Sequence, residues 1–360
     1  MSAGVYQGPF GMQGDGATGE LPLVTVIVPC RNEKKWIGRC LDSIIWNDYP
    51  KERLEVLVVD GMSDDGTDAI VQSYSDRLCF LRNPRRTTPA ALNAGIAAAK
   101  GAVIIRMDAH YEYPANYISQ LVHKLLQSGA DNVGGRLIMG PANESAMAQA
   151  IAVAVTHPFG IGNAYYRIGA SGPRWVDTVP FGCYRSEVFD RIGLFDEDLV
   201  RNQDIELNLR LRRAGGRILL APDVVLHGHA RDSLGKLWRM YYQYGYFNPL
   251  VIRKSPGRPT LRQCATPLFV TALAASAFLA PWWFWARVAL VMILLAYGTC
   301  VAASCALVAV RHGIRCALAL SVVFPALHIS HGLGFLKGLW DFTLLRRDLK
   351  KHWSAVPLTR

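Results

Sequence analysis

The 360-residue sequence predicts an α/β fold built on a parallel sheet covered by helices on both faces, continued toward its C-terminal end by apolar helices. Three observations carry this expectation. Short β-branched runs alternate with segments of helical period, each early run ends in polar residues, and charge nearly vanishes from long stretches after residue 263. Continuous apolar strands are buried on both faces, so their connections must be crossovers, and such sheets bind ligands beyond the carboxyl ends of their strands.

The elements follow in order. Val24-Thr-Val-Ile-Val28 reads as a buried strand ending in Pro29-Cys-Arg-Asn-Glu33, and Ile37, Cys40, Leu41, Ile44 and Ile45 then recur at helical spacing. Leu54-Glu-Val-Leu-Val-Val59 repeats the pattern, followed by Asp60-Gly-Met-Ser-Asp-Asp-Gly-Thr67 and a helix from about Asp68 to Tyr74. A third unit runs from Asn93-Ala-Gly95, in a helix after Pro89, into the strand Ala102-Val-Ile-Ile-Arg-Met107. That strand ends in Asp108-Ala-His110, which hands a hard oxygen ligand and a borderline nitrogen ligand to the sheet edge, a pair suited to a metal-bound diphosphate. Pro29 fixes the first turn, Arg31 and Glu33 are placed to reach a ribose or base, and Asp60 is placed to accept from a uracil-like imide; together they describe a nucleotide pocket. Asn202-Gln-Asp-Ile-Glu-Leu-Asn-Leu-Arg-Leu-Arg212 is an amphipathic helix with Ile205 and Leu209 expected inward, Glu206 solvated, and Asp204 in the first turn facing a cleft or capping the helix. Arg85 and Arg86 read as a solvated pair.

These motifs, in this order, resemble the inverting GT-A glycosyltransferases of family 2, within which the likeness is to membrane-bound enzymes of bacterial exopolysaccharide assembly. The resemblance rests on Pro29-x-x-Asn32-Glu33, Asp60 with Ser63-x-Asp65-Gly66-Thr67, Ala91-Leu92-Asn93-x-Gly95, Asp108-x-His110, Gly182-x-x-Arg185 and Gln203-Asp204, across about residues 22 to 250. It implies a GT-A, Rossmann-like domain over 21–230. It implies Asp204 as general base, with Gln203, Gly182 and Arg185 orienting the acceptor. Donor contacts are implied from Pro29, Arg31, Glu33, Asp60, Asn93, Asp108 and Arg136, and a Mn²⁺ or Mg²⁺ ion is implied on Asp108, His110 and one of His227 and His229, with His229 preferred. Two departures stand out: Asp60-Gly61 replaces the usual Asp-Asp, and Asp108-Ala-His110 replaces Asp-x-Asp. The Gln-x-x-Arg-Trp signature of processive relatives is missing, which implies one sugar per encounter.

Segments at about Cys264 to Ala280, Val288 to Val310 and Cys316 to Leu336 read as two or three membrane spans within 263–340, with Trp282-Trp-Phe-Trp285 as an interfacial belt. Residues 231–262 read as an amphipathic juxtamembrane segment lying at the bilayer surface, 1–20 as a flexible tail without a signal peptide, and 341–360 as a basic tail. The net charge of +11 gathers beside the apolar runs, at Arg253, Lys254, Arg258 and Arg262 and again at Arg311 and Arg315, which favours anionic lipid headgroups and not nucleic acid. The positive-inside rule puts the catalytic region in the cytoplasm of a bacterial cell, anchored to the inner membrane as a multi-pass protein; the third segment, carrying Pro325, is expected either to cross or to re-enter. Eight unpaired cysteines fit a reducing compartment.

The expected reaction is transfer of a hexose, glucose first among candidates, from a UDP-sugar to a hydroxyl of a lipid-linked saccharide. The alternatives are transfer to polyprenyl phosphate, or a nucleotide-binding membrane scaffold without turnover. A dehydrogenase ranks below these, since no Gly-x-Gly-x-x-Gly opens a helix after either early strand.

Overall fold

A computed structural model of the protein describes residues 20–255 and 260–346. The expected tail over 1–19, Arg258, and the basic residues Arg347, Lys350 and Lys351 lie outside the described residues. The first elements are β1 (Val24–Cys30), α1 (Ile37–Ile45), β2 (Leu54–Asp60), α2 (Thr67–Gln72), β3 (Cys79–Arg82), α3 (Thr88–Ala98), β4 (Val103–Arg106) and α4 (Tyr117–Ser128). The chain continues through β5 (Asn132–Gly140), α5 (Ala146–Ala154), α6 (Pro158–Ile161), α7 (Tyr165–Ile168), β6 (Arg174–Trp175), β7 (Cys183–Arg185), α8 (Glu187–Ile192), α9 (Gln203–Arg213) and β8 (Ile218–His229). Four long helices follow: α10 (Leu234–Lys254), α11 (Leu261–Leu279), α12 (Phe284–His312) and α13 (Ile314–Leu339).

The strands form one sheet in the order β3-β2-β1-β4-β7-β5-β8-β6. β1, β2, β3 and β4 pair in parallel, as the alternating pattern predicts. The sheet is mixed beyond them, because the three-residue β7 runs antiparallel between β4 and β5, a strand too short to leave a hydrophobic signature. Side chains of β1 divide by the period of two: Val24, Val26 and Val28 enter the core that contains α1 and α4, while Ile27 enters the one formed with α3, α8 and α9. Both faces are therefore dry, and chemistry is confined to the strand ends. Cys30 lies level with Asp60, so the loops after β1 and β2 meet. They are stitched together: Asn32 N–H donates to Ser63 Oγ at 2.8 Å and Glu33 N–H to Thr67 Oγ1 at 2.7 Å.

The long helices depart most from expectation. The segment expected at a bilayer surface becomes α10, which buries Leu237, Met240, Tyr241, Tyr246, Phe247 and Leu250. Its cover is α13, packed along it and also against α5. The backbones touch: a Cβ added to Gly245 of α10 would lie 2.0 Å from the carbonyl oxygen of His331, and one on Gly334 of α13 would lie 2.1 Å from that of Tyr242. Small residues of this kind allow helices to approach at backbone distance. Gly245→Ala is accordingly expected to cost about 1–3 kcal/mol through overpacking, read as a lower midpoint in thermal unfolding of the detergent-extracted full chain; an unchanged midpoint would contradict this packing. α13 runs unbroken through Pro325, which removes one helical donor and no more.

A polar chain crosses this interface. The Asn202 side-chain amide, at the N-cap of α9, donates to the Tyr244 carbonyl at 2.9 Å and to Asn248 Oδ1 at 3.1 Å. Asn248 Nδ2 lies 3.1 Å from His331 Nε2, and His331 Nδ1 lies 2.6 Å from Thr266 Oγ1 on α11.

α12 and α13 are long and apolar enough to cross a membrane, but they differ in exposure. Only 11% of the most apolar stretch of α12 is buried, against 56% for α13, which therefore serves as the seam between α12 and the sheet domain. Trp282, Trp283, Phe284, Trp285, Leu295 and Leu307 are exposed, an apolar surface far larger than scattered side chains produce.

Candidate active site

A cavity of about 1550 Å³ opens at the carboxyl ends of β1 and β4 and continues between α7, α9, α10 and α13. Glu33, Asp108, His110, Gln203, Asp204, His227 and His229 all line it. Residues from four separated parts of the sequence thus converge, since β4 is hydrogen-bonded to β1 and the α9 N-terminus faces the end of β4. Asp108 follows directly from β4, where Met107 N–H donates to the Ile27 carbonyl at 3.0 Å and ends the pairing with β1.

Arg106 organises the centre, and it went unassigned in the sequence. Its side chain is 8% exposed. Nε donates to Asp108 Oδ1 at 2.9 Å and Nη2 to Oδ2 at 3.3 Å, while Nη1 donates to Asp204 Oδ1 at 2.5 Å. One guanidinium thus holds the two cavity carboxylates in a fixed relation, a geometry available to its planar fork and not to an ammonium. Burial alone would favour loss of the Arg106 proton, but Asp108 and Asp204 outweigh it and hold the pKa above the ordinary value. Burial also pushes the Asp204 carboxyl above the usual carboxylate range; Arg106 pulls it back, and the charge on Asp108 adds to the rise. The Asp204 side chain remains 26% exposed, toward the cavity. Asp204 sits in the first turn of α9, behind the left-handed N-cap Asn202 (φ 62°), which points the turn into the cavity.

Gln203 is buried beside Asp204. Glu206, expected in solvent, is instead 2% exposed and paired with Arg210 at 2.6 Å; Leu207 and Leu211 face the core, while Ile205 and Leu209 line the cavity. The helix therefore presents a different face inward from the one its Ile and Leu spacing predicts, because Glu206 reaches Ser255 Oγ at 2.9 Å as well as Arg210.

Several predicted site residues do not line the cavity. Asn93 is a clasp, accepting from Phe195 N–H at 2.9 Å and donating to the Phe195 carbonyl at 2.9 Å, so its amide is spent on the 195–197 loop. Asp60 is buried and caps its own turn, accepting from Ser63 N–H at 3.0 Å and Ser63 Oγ at 2.5 Å. Arg185 pairs with Val103 at the opposite end of β4 and donates to the Ala130 carbonyl at 3.1 Å, which removes it from an acceptor role. Gly182 lies beside β4, its carbonyl accepting from Arg106 N–H at 3.1 Å; a Cβ there would strike Asn132 and Tyr184. Arg136 packs its guanidinium on Gly169. Pro29 pairs with Val59 inside the sheet, and Arg31 is exposed over Gly61. Arg85 pairs with Glu197.

The expected metal ligands Asp108, His110 and His229 share the cavity, and His110 Nδ1 lies 3.9 Å from Glu33 Oε1. Among the described residues no three His, Cys, Asp or Glu side chains converge into a cage. A carboxylate and imidazoles lining one cavity fit a divalent ion held jointly by one or two protein ligands and substrate phosphates, the usual mode for such ions at nucleotides. They do not fit an ion resident in the protein alone.

The family model for glycosyl transferase family 2 matches residues 25–193, which include β1 through α8 and Asp108. The succinoglycan biosynthesis protein ExoA of Rhizobium meliloti is 33% identical over 260 residues, spanning 71% of this chain and 77% of its own. The Methanococcus voltae dolichyl N-acetyl-alpha-D-glucosaminyl phosphate 3-beta-D-2,3-diacetamido-2,3-dideoxy-beta-D-glucuronosyltransferase is 28% identical over 243 residues, 64% of this chain and 74% of its own. In fold, the chain is similar to a mannosyltransferase of Pyrobaculum calidifontis solved with GDP-Man and Mn²⁺, with a TM-score of 0.57 and 23% identity over 90% of this chain and 88% of the other. With its parallel β1–β4 core, its carboxylates at the strand ends and a relative of this identity over this length, the chain belongs to glycosyltransferase family 2 and is a glycosyltransferase of GT-A fold.

Proposed function

We propose that the enzyme transfers a hexose, glucose first among candidates, from a UDP-sugar to a hydroxyl of a membrane lipid-linked saccharide, inverting the anomeric centre and adding one sugar per encounter. The reading places this reaction at the cytoplasmic face of a bacterial inner membrane, in assembly of exopolysaccharide or another surface glycan. The observation that carries it is the pair of cavity carboxylates joined by Arg106. Two acids with different surroundings in one cavity suit a reaction that needs charge neutralised on one face of a sugar and a proton removed on the other. ExoA's role in succinoglycan synthesis supports the glycan class, and the phosphate-linked dolichyl substrate in the Methanococcus enzyme's name supports a lipid-linked acceptor.

Arg106 occupies Asp204 Oδ1, which leaves Oδ2 to accept the proton of the attacking hydroxyl. Gln203 is uncharged and orients the same hydroxyl, and Glu33 lies on the donor side near the ends of β1 and β2. Asp108, His110 and His229 are the residues that would hold Mn²⁺ or Mg²⁺, which when bound neutralises charge on the departing diphosphate. Transfer to polyprenyl phosphate is the less favoured reading, since an ionised acceptor needs no base and Asp204 would then have no part to play. Membrane attachment rests on the exposed faces of α11 and α12, with α13 joining them to the sheet domain.

One experiment tests these parts separately. Membranes bearing the full chain are washed in high salt and supplied with a panel of nucleotide sugars, and nucleoside diphosphate release is read with and without chelator. The enzyme is expected to stay on the membrane, because apolar burial is not screened by salt. Release is expected from UDP-glucose, to stop in EDTA and to return with Mn²⁺ or Mg²⁺. Loss into the wash removes the membrane reading, full release in EDTA removes the metal, and release only from a GDP-sugar removes the uridine donor.

A further inference from the structure

The cavity holds more than the donor chemistry uses. At about 1550 Å³ it exceeds the roughly 300–1000 Å³ of an ordinary ligand pocket, which leaves space for a second substrate. Four of the six arginines that line it divide by their partners. Arg106 is spent on Asp108 and Asp204, and Arg262 on Asp177 at 3.0 Å. Arg167 of α7 and Arg231, two residues after β8, also line the cavity, yet neither forms an ion pair with a carboxylate among the described residues. Asp232, beside Arg231, is committed to Lys236 at 2.6 Å. Arg167 lies among Tyr111, Tyr166, Tyr241 and Tyr244, and its Nε is buried without a hydrogen-bond acceptor. Arg231 shares the neighbours Tyr111 and Tyr244 and has Arg201 close by. Two partly buried guanidinium groups in one cavity, neither in an ion pair and one with an Nε donor unsatisfied, form a site for phosphate oxygens.

The position of Arg167 separates it from Glu33 and Asp108, while Arg231 follows His229 by two residues. Donor contacts belong to the ends of β1 and β4, whereas α7 packs on β5 and β8, on the far side of β4 in the strand order. From there the cavity wall is Tyr241 and Tyr244 of α10 and Leu327 and His328 of α13, the latter a helix apolar enough to enter a membrane. We propose that Arg167 and Arg231 form a second anion site, on the acceptor side of Asp204, that takes the phosphate or diphosphate of an acceptor whose apolar chain leaves along the α13 wall of the cavity. This rests on the glycosyl-transfer reading above and names how its acceptor is recognised.

The test measures binding to the detergent-solubilised full chain in chelator, with farnesyl diphosphate, inorganic pyrophosphate and farnesol as probes, and UDP binding with Mn²⁺ in parallel. Farnesyl diphosphate is expected to bind whether or not UDP is present, more tightly than pyrophosphate, with farnesol weakest. Arg167→Gln and Arg231→Gln are each expected to weaken it by about tenfold or more, the loss of a charge-assisted contact, while UDP affinity is unchanged. Arg167→Lys, which keeps the charge, is expected to retain part of the affinity and guards against a Gln variant that misfolds. The proposal is overturned if UDP displaces the probe, if pyrophosphate binds as tightly as farnesyl diphosphate, or if a folded Arg167→Gln variant binds as the parent does. Failure of UDP binding alone would instead count against the uridine donor.

Discussion

Asp204→Asn is expected to reduce turnover by roughly 10² to 10⁴ fold, the usual contribution of a positioned base, while donor affinity changes little. The amide keeps the shape of the carboxylate but cannot accept the acceptor's proton at Oδ2. Because burial raises the Asp204 pKa, with Arg106 opposing and Asp108 adding to the rise, the sign of the pH dependence follows. The base works only when ionised, so activity should rise with pH along an acid limb displaced above the ordinary aspartate value of about 3.9. A base placed opposite the leaving diphosphate also directs attack from behind, converting an α-linked donor into a β-glycoside. Near-normal turnover in the Asn variant, or an α-linked product, would sink the assignment.

Arg106→Met should have the largest effect on stability. Removing one member of a buried ion-pair group costs about 3–5 kcal/mol because the remaining charges lose their compensation. The lower end applies here, since Asp108 and Asp204 keep side-chain exposures of 17% and 26%. The expected signature is a depressed unfolding midpoint together with lost turnover. Combining Arg106→Met with Asp204→Asn should cost less than the sum of the two changes, because the second relieves the charge that the first leaves unopposed. Strict additivity would show that the two groups do not interact as their 2.5 Å contact indicates.

Strong local signals made much of this legible in the sequence. The β-branched runs of β1 and β2, and the polar residues that end them and β4, follow from periodicity and burial, and these ends place Glu33, Asp108 and His110 in one cavity with Asp204. Arg106 was missed because it lies inside an apolar strand and its meaning depends on Asp204, 98 residues away. Asn93 and Arg185 match family motifs, yet their side chains are consumed by the backbone at Phe195 and Ala130. No local pattern distinguishes a polar group that meets substrate from one that meets a distant carbonyl. The aromatic and basic composition of α10 likewise suits a headgroup layer or a neighbouring helix equally well; the glycines at 245 and 334, which permit backbone contact, were the available clue.

The polar chain from Asn202 through Asn248 and His331 to Thr266 bears on where this molecule divides. Its first member stands at the N-cap position of the helix that carries Asp204, and its last two belong to the apolar helices. A fragment ending before α11 would strip Asn248 of its His331 partner and bare the faces of Leu237, Met240 and Tyr241 that α13 now helps to cover. The apolar helices and the sheet domain thus share one hydrogen-bonded and packed interface, and the apolar helices are as much part of the scaffold that holds Asp204 as the sheet is.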